Sequence, residues 1–549
     1  MTPLAVRSSM ILQHVRSKHA NAIRATVATR TRSTLARQPE HIAAQLDFRT
    51  FVDVLRKDGD LVEVDLEVDP HLEVGAIVRR VSDVNGKAPL FNNVKGAKEG
   101  GLWRIFGNAA SLLLHEEERY GRIARSLGLP ICSSWKAILE RSQEGKTKPL
   151  LPPRVLQTGP CKENKMYGDE IDLQKLPVPF LHKSDGGKYL QTYGVHVLQA
   201  PDGKAPWTNW SIFRGMVHDS RRLVCLVGAG QHNSVIREKW LQQGKTEVPW
   251  ALALGVPPLA SLIAACPIPK GISEAEYVGA LVGHPLEAVC PTTKSSNLCE
   301  TNDLLVPVNS EIVLEGTFPL TDKALEGPFE DYLGIHFDGD QHMQPLFTVN
   351  AITYRDNPIM PVSVPGRITD ESHTTASLAS EELLTLCRKH DLPITDAFAP
   401  LETMATWCAL QVDIDKLAEQ KTNSKDFCNK LGHIFFNDKS CMLMNRILLF
   451  GHDVDIHNFK DIIWALVTRC RPGKNEYIFE DVPSFPMTPY MSHGGGSSSR
   501  GGKVISDCLF PMEYMGNRGF KSVDFERSYP EEVKDKVRSN WTAMGFDAV

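Results

Sequence analysis

The sequence predicts a multidomain α+β chain with a β domain between two α/β units, and three observations predict it. At 549 residues, 42% hydrophobic and 23% charged, the chain can fill two or three cores of ordinary globular composition. Both flanking regions alternate helical and two-residue apolar periods. The middle instead carries short apolar runs separated by Gly, Pro and Asp, the pattern of a barrel or sandwich-like β domain.

Residues 1–45 form a basic extension. Arg7, Arg16, Lys18, Arg24, Arg30, Arg32 and Arg37 stand among Ser, Thr and Ala, and the first acid is Glu40, which is the composition of a mitochondrial transit peptide. A basic tail on a cytoplasmic protein is the competing reading. Over 46–151 a helix at 48–56, a turn at Asp58-Gly59-Asp60, a strand at 61–68, a helix at 72–81 and an apolar run at 89–94 compose an α/β unit. Over 152–355 the strands fall at 193–199, 223–227, 311–315 and 347–354. Over 356–549 helices at 379–390 and 459–468 alternate with strands at 409–412 and 446–450. The last helix starts at Pro530-Glu531-Glu532 and lines up Val533, Val537, Trp541 and Met544, a stripe that needs one partner surface, in the core or on a second subunit.

Composition excludes several functions. A net charge of −5 supplies no basic field, and no zinc-finger or RNA-binding motif is present, so nucleic acid is not a partner. No apolar run approaches the length needed to cross a bilayer. Twelve cysteines without one Cys-x-x-Cys indicate neither a zinc site nor a disulfide framework, and fit a reducing compartment. Gly494 to Lys503 fails as a phosphate loop, because Ser497 stands where Gly is required and Val504 where Ser or Thr is required; it reads as a mobile loop or lid.

Chemistry concentrates at four places. Trp207-Thr208-Asn209-Trp210-Ser211-Ile212-Phe213-Arg214 crowds an amide that can ligate a hard cation, a hydroxyl and a guanidinium into eight residues. A buried Trp-rich strand, with Arg214 neutralised by a structural acid, is the alternative. Gln231-His232 follows an apolar strand and a small turn, which puts an imidazole at a strand end. Glu274 follows the rigid Pro267-Ile268-Pro269-Lys270-Gly271 loop. Glu326-Gly327-Pro328-Phe329-Glu330-Asp331 sets acids at both ends of a Gly-Pro turn, where Arg214 can hold them ionised or poised.

Together with Gly255-Val256-Pro257-Pro258, Arg471-Pro472-Gly473 and Gly501-Gly502-Lys503-Val504, in this order, these motifs resemble the UbiD-type decarboxylases, and within them the ferulic acid (phenylacrylic acid) decarboxylase branch. The resemblance runs from about Leu46 to the C-terminus. It implies a central split β-barrel holding prenylated FMN, a divalent ion (Mn2+ or Mg2+) bridging the flavin phosphate to Asn209, His232 and Glu274, and K+ nearby. Asn209, Trp210, Ser211, Ile212, Phe213, Arg214, Gln231, His232, Glu274 and Lys439 fall on cofactor-binding positions. The implied reaction is non-oxidative loss of CO2 from an α,β-unsaturated or aromatic acid. Arg214 orients the substrate carboxylate, Glu326 pairs with Arg214, and Asp331 protonates the carbon that lost CO2. The resemblance also implies a homodimer, a separate flavin prenyltransferase as cofactor supplier and a cytoplasmic location, or a mitochondrial one if the extension targets.

Several positions depart from that branch. Asp331 replaces Glu, Glu330 replaces Gly, Gly228 replaces an apolar pocket residue, and Tyr332-Leu333 replaces Met-His. Ser372 to Ala376 is one residue short, Ala264-Ala265-Cys266 stands for Ser-Ser-Met beside the K+ site, and 290–297 reads as an insertion. Cinnamic-type acids are the expected substrates. A hydroxylated aromatic acid, or an impaired paralogue that still binds flavin, stays open.

Overall fold

A computed structural model describes residues 39–97, 102–201, 206–228, 231–266, 268–289, 302–330, 333–367, 370–485, 488–492, 499–520 and 522–546. The basic extension up to residue 38, the 290–297 segment, Asp331, Tyr332 and residues 493–498 lie outside this set, as do the side chains of 372–376. Among the described residues no helix is long and apolar enough to cross a membrane.

The chain is a mixed α+β protein of several parts. Near the N-terminus Asp47 accepts a hydrogen bond from the Thr50 amide and starts the helix Phe48–Asp58, while Gly59, at φ 75°, ends it. That helix buries Phe48, Phe51, Val52 and Leu55 against a four-stranded sheet ordered Leu61–Val64, Ala88–Phe91, Arg104–Gly107 and Ile359–Val362. The last of these strands comes from beyond the middle region and pairs in parallel with Arg104–Gly107.

The middle forms one antiparallel sheet of ten strands, curled into a half-barrel. Its path runs Tyr189–Gln191, Gly215–Val217, Arg222–Cys225, His342–Tyr354, Ile312–Pro319, Glu247–Leu254, Val195–Gln199 and Thr208–Ser211. The long strand His342–Tyr354 also pairs with Lys323–Glu326 and Asn164–Tyr167. A register shift at Glu315/Gly316 bends the sheet, and a Cβ on Gly316 would sit 1.8 Å from the Thr348 carbonyl oxygen, so only glycine fits the bend. The first and last strands of the path do not pair with each other, which leaves the barrel open, and residues 212–214 run between its two ends.

A five-stranded sheet, Ile394–Phe398, Trp407–Val412, Arg446–Phe450, Arg500–Asp507 and Glu476–Pro483, follows with the helices Asp370–Lys389, Ser424–Phe435 and Phe459–Arg469. Two expectations are corrected here. Arg500–Asp507 is a strand rather than a loop, and Lys503 is buried with its ammonium donating to the Cys441 and Met442 carbonyls at 2.7 and 3.0 Å. The terminal helix Glu531–Asn540 starts at Pro530 as expected, but it turns Lys534 inward; Val533 and Met544 are 40% and 58% exposed, so the apolar stripe does not pack into the core.

His196, on Val195–Gln199, lies wholly inside the sheet's aromatic core with Phe213, Trp250 and Phe347. Burial pulls its imidazole from 6.5 down to about 3, so the fold keeps it neutral. Between those values the unfolded chain takes up a proton that the folded chain refuses, and folded stability falls as pH falls, by about 1.4 kcal/mol per unit. Urea midpoints from pH 7 to pH 4 are therefore expected to drop more steeply for the native chain than for His196→Gln; parallel profiles would contradict a neutral buried imidazole.

Candidate functional site

Three distant stretches converge on the strand Thr208–Ser211. His232 is the first residue of the helix His232–Gln242, in its first turn rather than at a strand end, and Glu274 is the first residue of the helix Glu274–Val282. Neither helix carries a side-chain N-cap hydrogen bond, so both point electropositive N-termini at this place. The Asn209 amide donates to Glu274 Oε1 at 2.8 Å and approaches His232 Nδ1 at 3.4 Å, while the Trp210 backbone N–H donates to Glu274 Oε2 at 2.7 Å. The Trp207 indole stands edge-on to the His232 ring at 4.9 Å.

Asn209 and Ser211 share one strand face by alternation. The Asn209 Oδ1 and the Ser211 Oγ are both buried with no hydrogen-bond partner, an arrangement native proteins avoid unless a ligand supplies one. The Nδ2 end of Asn209 answers the electropositive demand of Glu274 and His232; a half-turn of the amide presents Oδ1 to the same point, as a cation needs. Burial, then the charges of Lys439 and Lys270, lowers His232 to about 4 and keeps its imidazole neutral, the form that ligates metals. Burial raises Glu274 to about 8. An amide oxygen, a neutral imidazole and a carboxylate fit a divalent ion, and the two lysines fit an anion beside it. Among the described residues no cluster of three or more His, Cys, Asp and Glu is of metal-holding type.

On the far side of the 212–214 crossing, Arg214 makes a two-pronged pair with Glu326, Nε to Oε1 at 2.8 Å and Nη2 to Oε2 at 2.9 Å. Glu326 is fully buried, and the Tyr189 hydroxyl donates to its Oε1 at 2.7 Å. Phe329 covers the pair, 5.2 Å under the guanidinium and 3.9 Å from the Tyr189 ring. Glu330 leaves this group: Ser184 Oγ donates to it at 3.3 Å, and its other oxygen lies 3.5 Å from His182 Nε2. Against the effect of burial, Asp185 and Glu330 hold His182 above its usual value.

The sequence-predicted residues separate into groups. Asn209, His232 and Glu274 meet, with Ser211 on the strand face of Asn209 and the charge of Lys439 acting on His232; Arg214 and Glu326 pair. Trp210 turns its indole into the opposite core and meets the site through its backbone N–H, Ile212 and Phe213 are half-buried in the crossing, and Gln231 is exposed in the turn before the helix. Sequence reasoning missed Lys270, Tyr189 and His182. Tyr189 sits in an apolar strand and reads as core; only its position after Gly186-Gly187-Lys188, a turn facing the acidic one, hints at more.

Three family models match in chain order: the 3-octaprenyl-4-hydroxybenzoate carboxy-lyase N-terminal domain over residues 52–142, its Rift-related domain over 154–368 and its C-terminal domain over 373–508. The chain belongs to the UbiD family. As a UbiD protein it is a decarboxylase, a carboxy-lyase. Ferulic acid decarboxylase 1 of Saccharomyces cerevisiae is 45% identical over 506 residues, spanning 91% of this chain and 98% of that protein. A pyrrole-2-carboxylic acid decarboxylase of Pseudomonas aeruginosa is 38% identical, spanning 91% and 98%. The UbiD-class enzyme HmfF of Pelotomaculum thermopropionicum, solved with FMN, shares the fold with a TM-score of 0.70 at 23% identity, covering 87% of this chain and 97% of that one.

In this UbiD chain Gly186 holds the acidic turn. Its amide donates to the Pro328 carbonyl at 2.7 Å, and a Cβ at this position would meet the Gly327 carbonyl oxygen at 2.0 Å. Because both sides are backbone, Gly186→Ala is expected to displace the 326–330 turn, cost about 1–3 kcal/mol and lower turnover about 100-fold. A melt and a CO2-release assay check it; native turnover in the variant would show that the turn's position does not matter.

Proposed function

We propose that this chain removes CO2 non-oxidatively from an α,β-unsaturated aromatic acid of the cinnamic, coumaric or ferulic type, giving the vinyl product, with prenylated FMN and a divalent ion, Mn2+ or Mg2+, beside K+. The observation that carries it is the buried Arg214–Glu326 pair adjoining a strand face whose Asn209 and Ser211 oxygens lack partners. When bound, the modified flavin supplies the electron sink for the carbon that loses its carboxylate. Asn209, His232 and Glu274 would hold the ion, and Lys439 with Lys270 would neutralise the flavin phosphate. Arg214, kept in one orientation by Glu326 and indirectly by Tyr189, binds the substrate carboxylate; Asp331, five residues beyond Glu326, returns a proton to the same carbon.

The ferulic acid decarboxylase relative, matched over nearly its full length, supports the substrate class. The pyrrole-2-carboxylic acid decarboxylase supports a heteroaromatic acid as a second reading. The exposed Val533 and Met544 suit a homodimer contact, a separate prenyltransferase would supply the flavin, and the basic extension suits mitochondrial delivery. Co-expression with a flavin prenyltransferase, then CO2 release from cinnamic, ferulic, hydroxybenzoic and pyrrole-2-carboxylic acids, tests the reading. Turnover is expected on the first two. Bound modified flavin with no turnover on any acid would replace the enzyme with a flavin-binding paralogue.

A further inference from the structure

Residues 212–214 leave the strand Thr208–Ser211 at one end of the curled sheet and enter Gly215–Val217 near its other end. Backbone groups in such a crossing have no ladder partner by default, and a buried carbonyl without a donor is costly. The Arg214 carbonyl takes the Leu226 N–H at 3.2 Å. The Phe213 carbonyl takes the Nε2 of His196 at 2.9 Å. His196 stands directly opposite Ser211 in the register, so its side chain shares a face with Ser211 and Asn209.

Trp250 fixes which nitrogen carries the proton. An indole N–H only donates, and Trp250 Nε1 reaches His196 Nδ1 at 2.9 Å. Nδ1 therefore accepts, and Nε2 bears the hydrogen that Phe213 receives. The imidazole is also stacked on the Phe213 ring, centroids 3.5 Å apart and planes 5° from parallel, and Trp250 is braced edge-on by Phe347 at 5.1 Å. Leucine would satisfy burial at this position. Accepting from an indole while donating to a carbonyl asks for an imidazole in one tautomer.

We propose that His196 is a positioning residue: the chain Trp250 N–H to His196 to Phe213 carbonyl clamps the 212–214 crossing and thereby aims the Arg214 guanidinium. The proposal rests on the role given to Arg214 above. Without the clamp the Phe213 carbonyl loses the imidazole N–H that holds it, and a misplacement of about 1 Å at a carboxylate-binding group is worth about 100-fold in rate.

The test uses the flavin-loaded enzyme with His196→Leu, His196→Gln and Trp250→Phe, and Arg214→Ala as reference. His196→Gln keeps a donor near the Nε2 position, and Trp250→Phe keeps aromatic volume while removing the indole N–H. Expected results are a 10- to 100-fold fall in kcat for His196→Leu, recovery to within about threefold in His196→Gln, and a parallel weakening of inhibition by the saturated analogue 3-phenylpropanoate in His196→Leu. FMN affinity of the flavin-free protein, read by fluorescence quenching, is expected to change less than the inhibitor affinity. If His196→Leu does not fold, Trp250→Phe carries the comparison, with 15N-histidine shifts showing whether the fixed tautomer is lost. A lowered melting temperature with native kcat and inhibition in His196→Leu or Trp250→Phe overturns the proposal, as does His196→Gln matching His196→Leu. An active Arg214→Ala would instead overturn the reading of Arg214 itself.

Discussion

Arg214→Ala is expected to abolish measurable decarboxylation, with kcat/KM down at least about 1000-fold, and to destabilise the fold by about 3–5 kcal/mol. The two effects have different origins. Glu326 is fully buried, and its carboxylate receives two hydrogen bonds from Arg214 and one from Tyr189. Removing the guanidinium leaves a buried acid with one neutral donor, which explains the stability loss. The activity loss follows from the missing cation for the substrate carboxylate. Arg214→Lys separates them: it keeps the charge but not the planar fork, so most stability is expected to return while turnover stays at least about 100-fold down. The double variant Arg214→Met with Glu326→Gln removes both charges, and is expected to fold near native stability without activity. Denaturant midpoints beside CO2-release rates check the set. Native turnover in Arg214→Lys would show that a point charge suffices and that the two-pronged geometry is structural.

Much of this site was legible in the sequence, for reasons that differ by residue. Asn209 and Arg214 stood out because polar groups that ligate cations and anions are crowded between indoles, and Glu326 because acids flank a Gly-Pro turn. That Glu326 takes Arg214 was implied by the family resemblance and not by the residues alone, which left both acids of the turn open; the turn sends Glu330 to His182 and Ser184 instead. His196 and Tyr189 were invisible because each occupies an apolar strand, where one polar atom leaves the two-residue pattern intact. Fold elements behaved similarly. The strand His342–Tyr354 begins five residues before its apolar run at 347, because residues 342–345 find ladder partners in Lys323–Glu326, and backbone pairing extends the strand where His342 and Met343 are exposed. Lys534 turned inward against the helical stripe because its ammonium finds the Glu526 carbonyl at 2.9 Å and the Glu531 carboxylate at 2.6 Å.

Glu274→Gln is expected to remove divalent-ion binding while leaving the fold in place. The substitution conserves volume at a side chain only 2% exposed, and burial already biases Glu274 toward its uncharged form, so the cation-free protein loses little. Ion binding responds differently, because the neutral amide withdraws the only formal negative charge among Asn209, His232 and Glu274 and offers an N–H2 group where an oxygen is required. Saturating Mn2+ at about 100 times its dissociation constant is expected to stabilise the native chain by about 2.7 kcal/mol and the variant not at all. Melting curves with and without Mn2+, metal content after gel filtration, and FMN affinity of the two proteins read the result. Flavin retention is expected to fall with the metal, because an ion held by Asn209, His232 and Glu274 would supply more of the positive charge facing the flavin phosphate than Lys439 and Lys270 do alone. If the variant binds Mn2+ as the native chain does, the ion is held elsewhere; if it loses Mn2+ yet retains flavin and turnover, the cation is not part of the cofactor site.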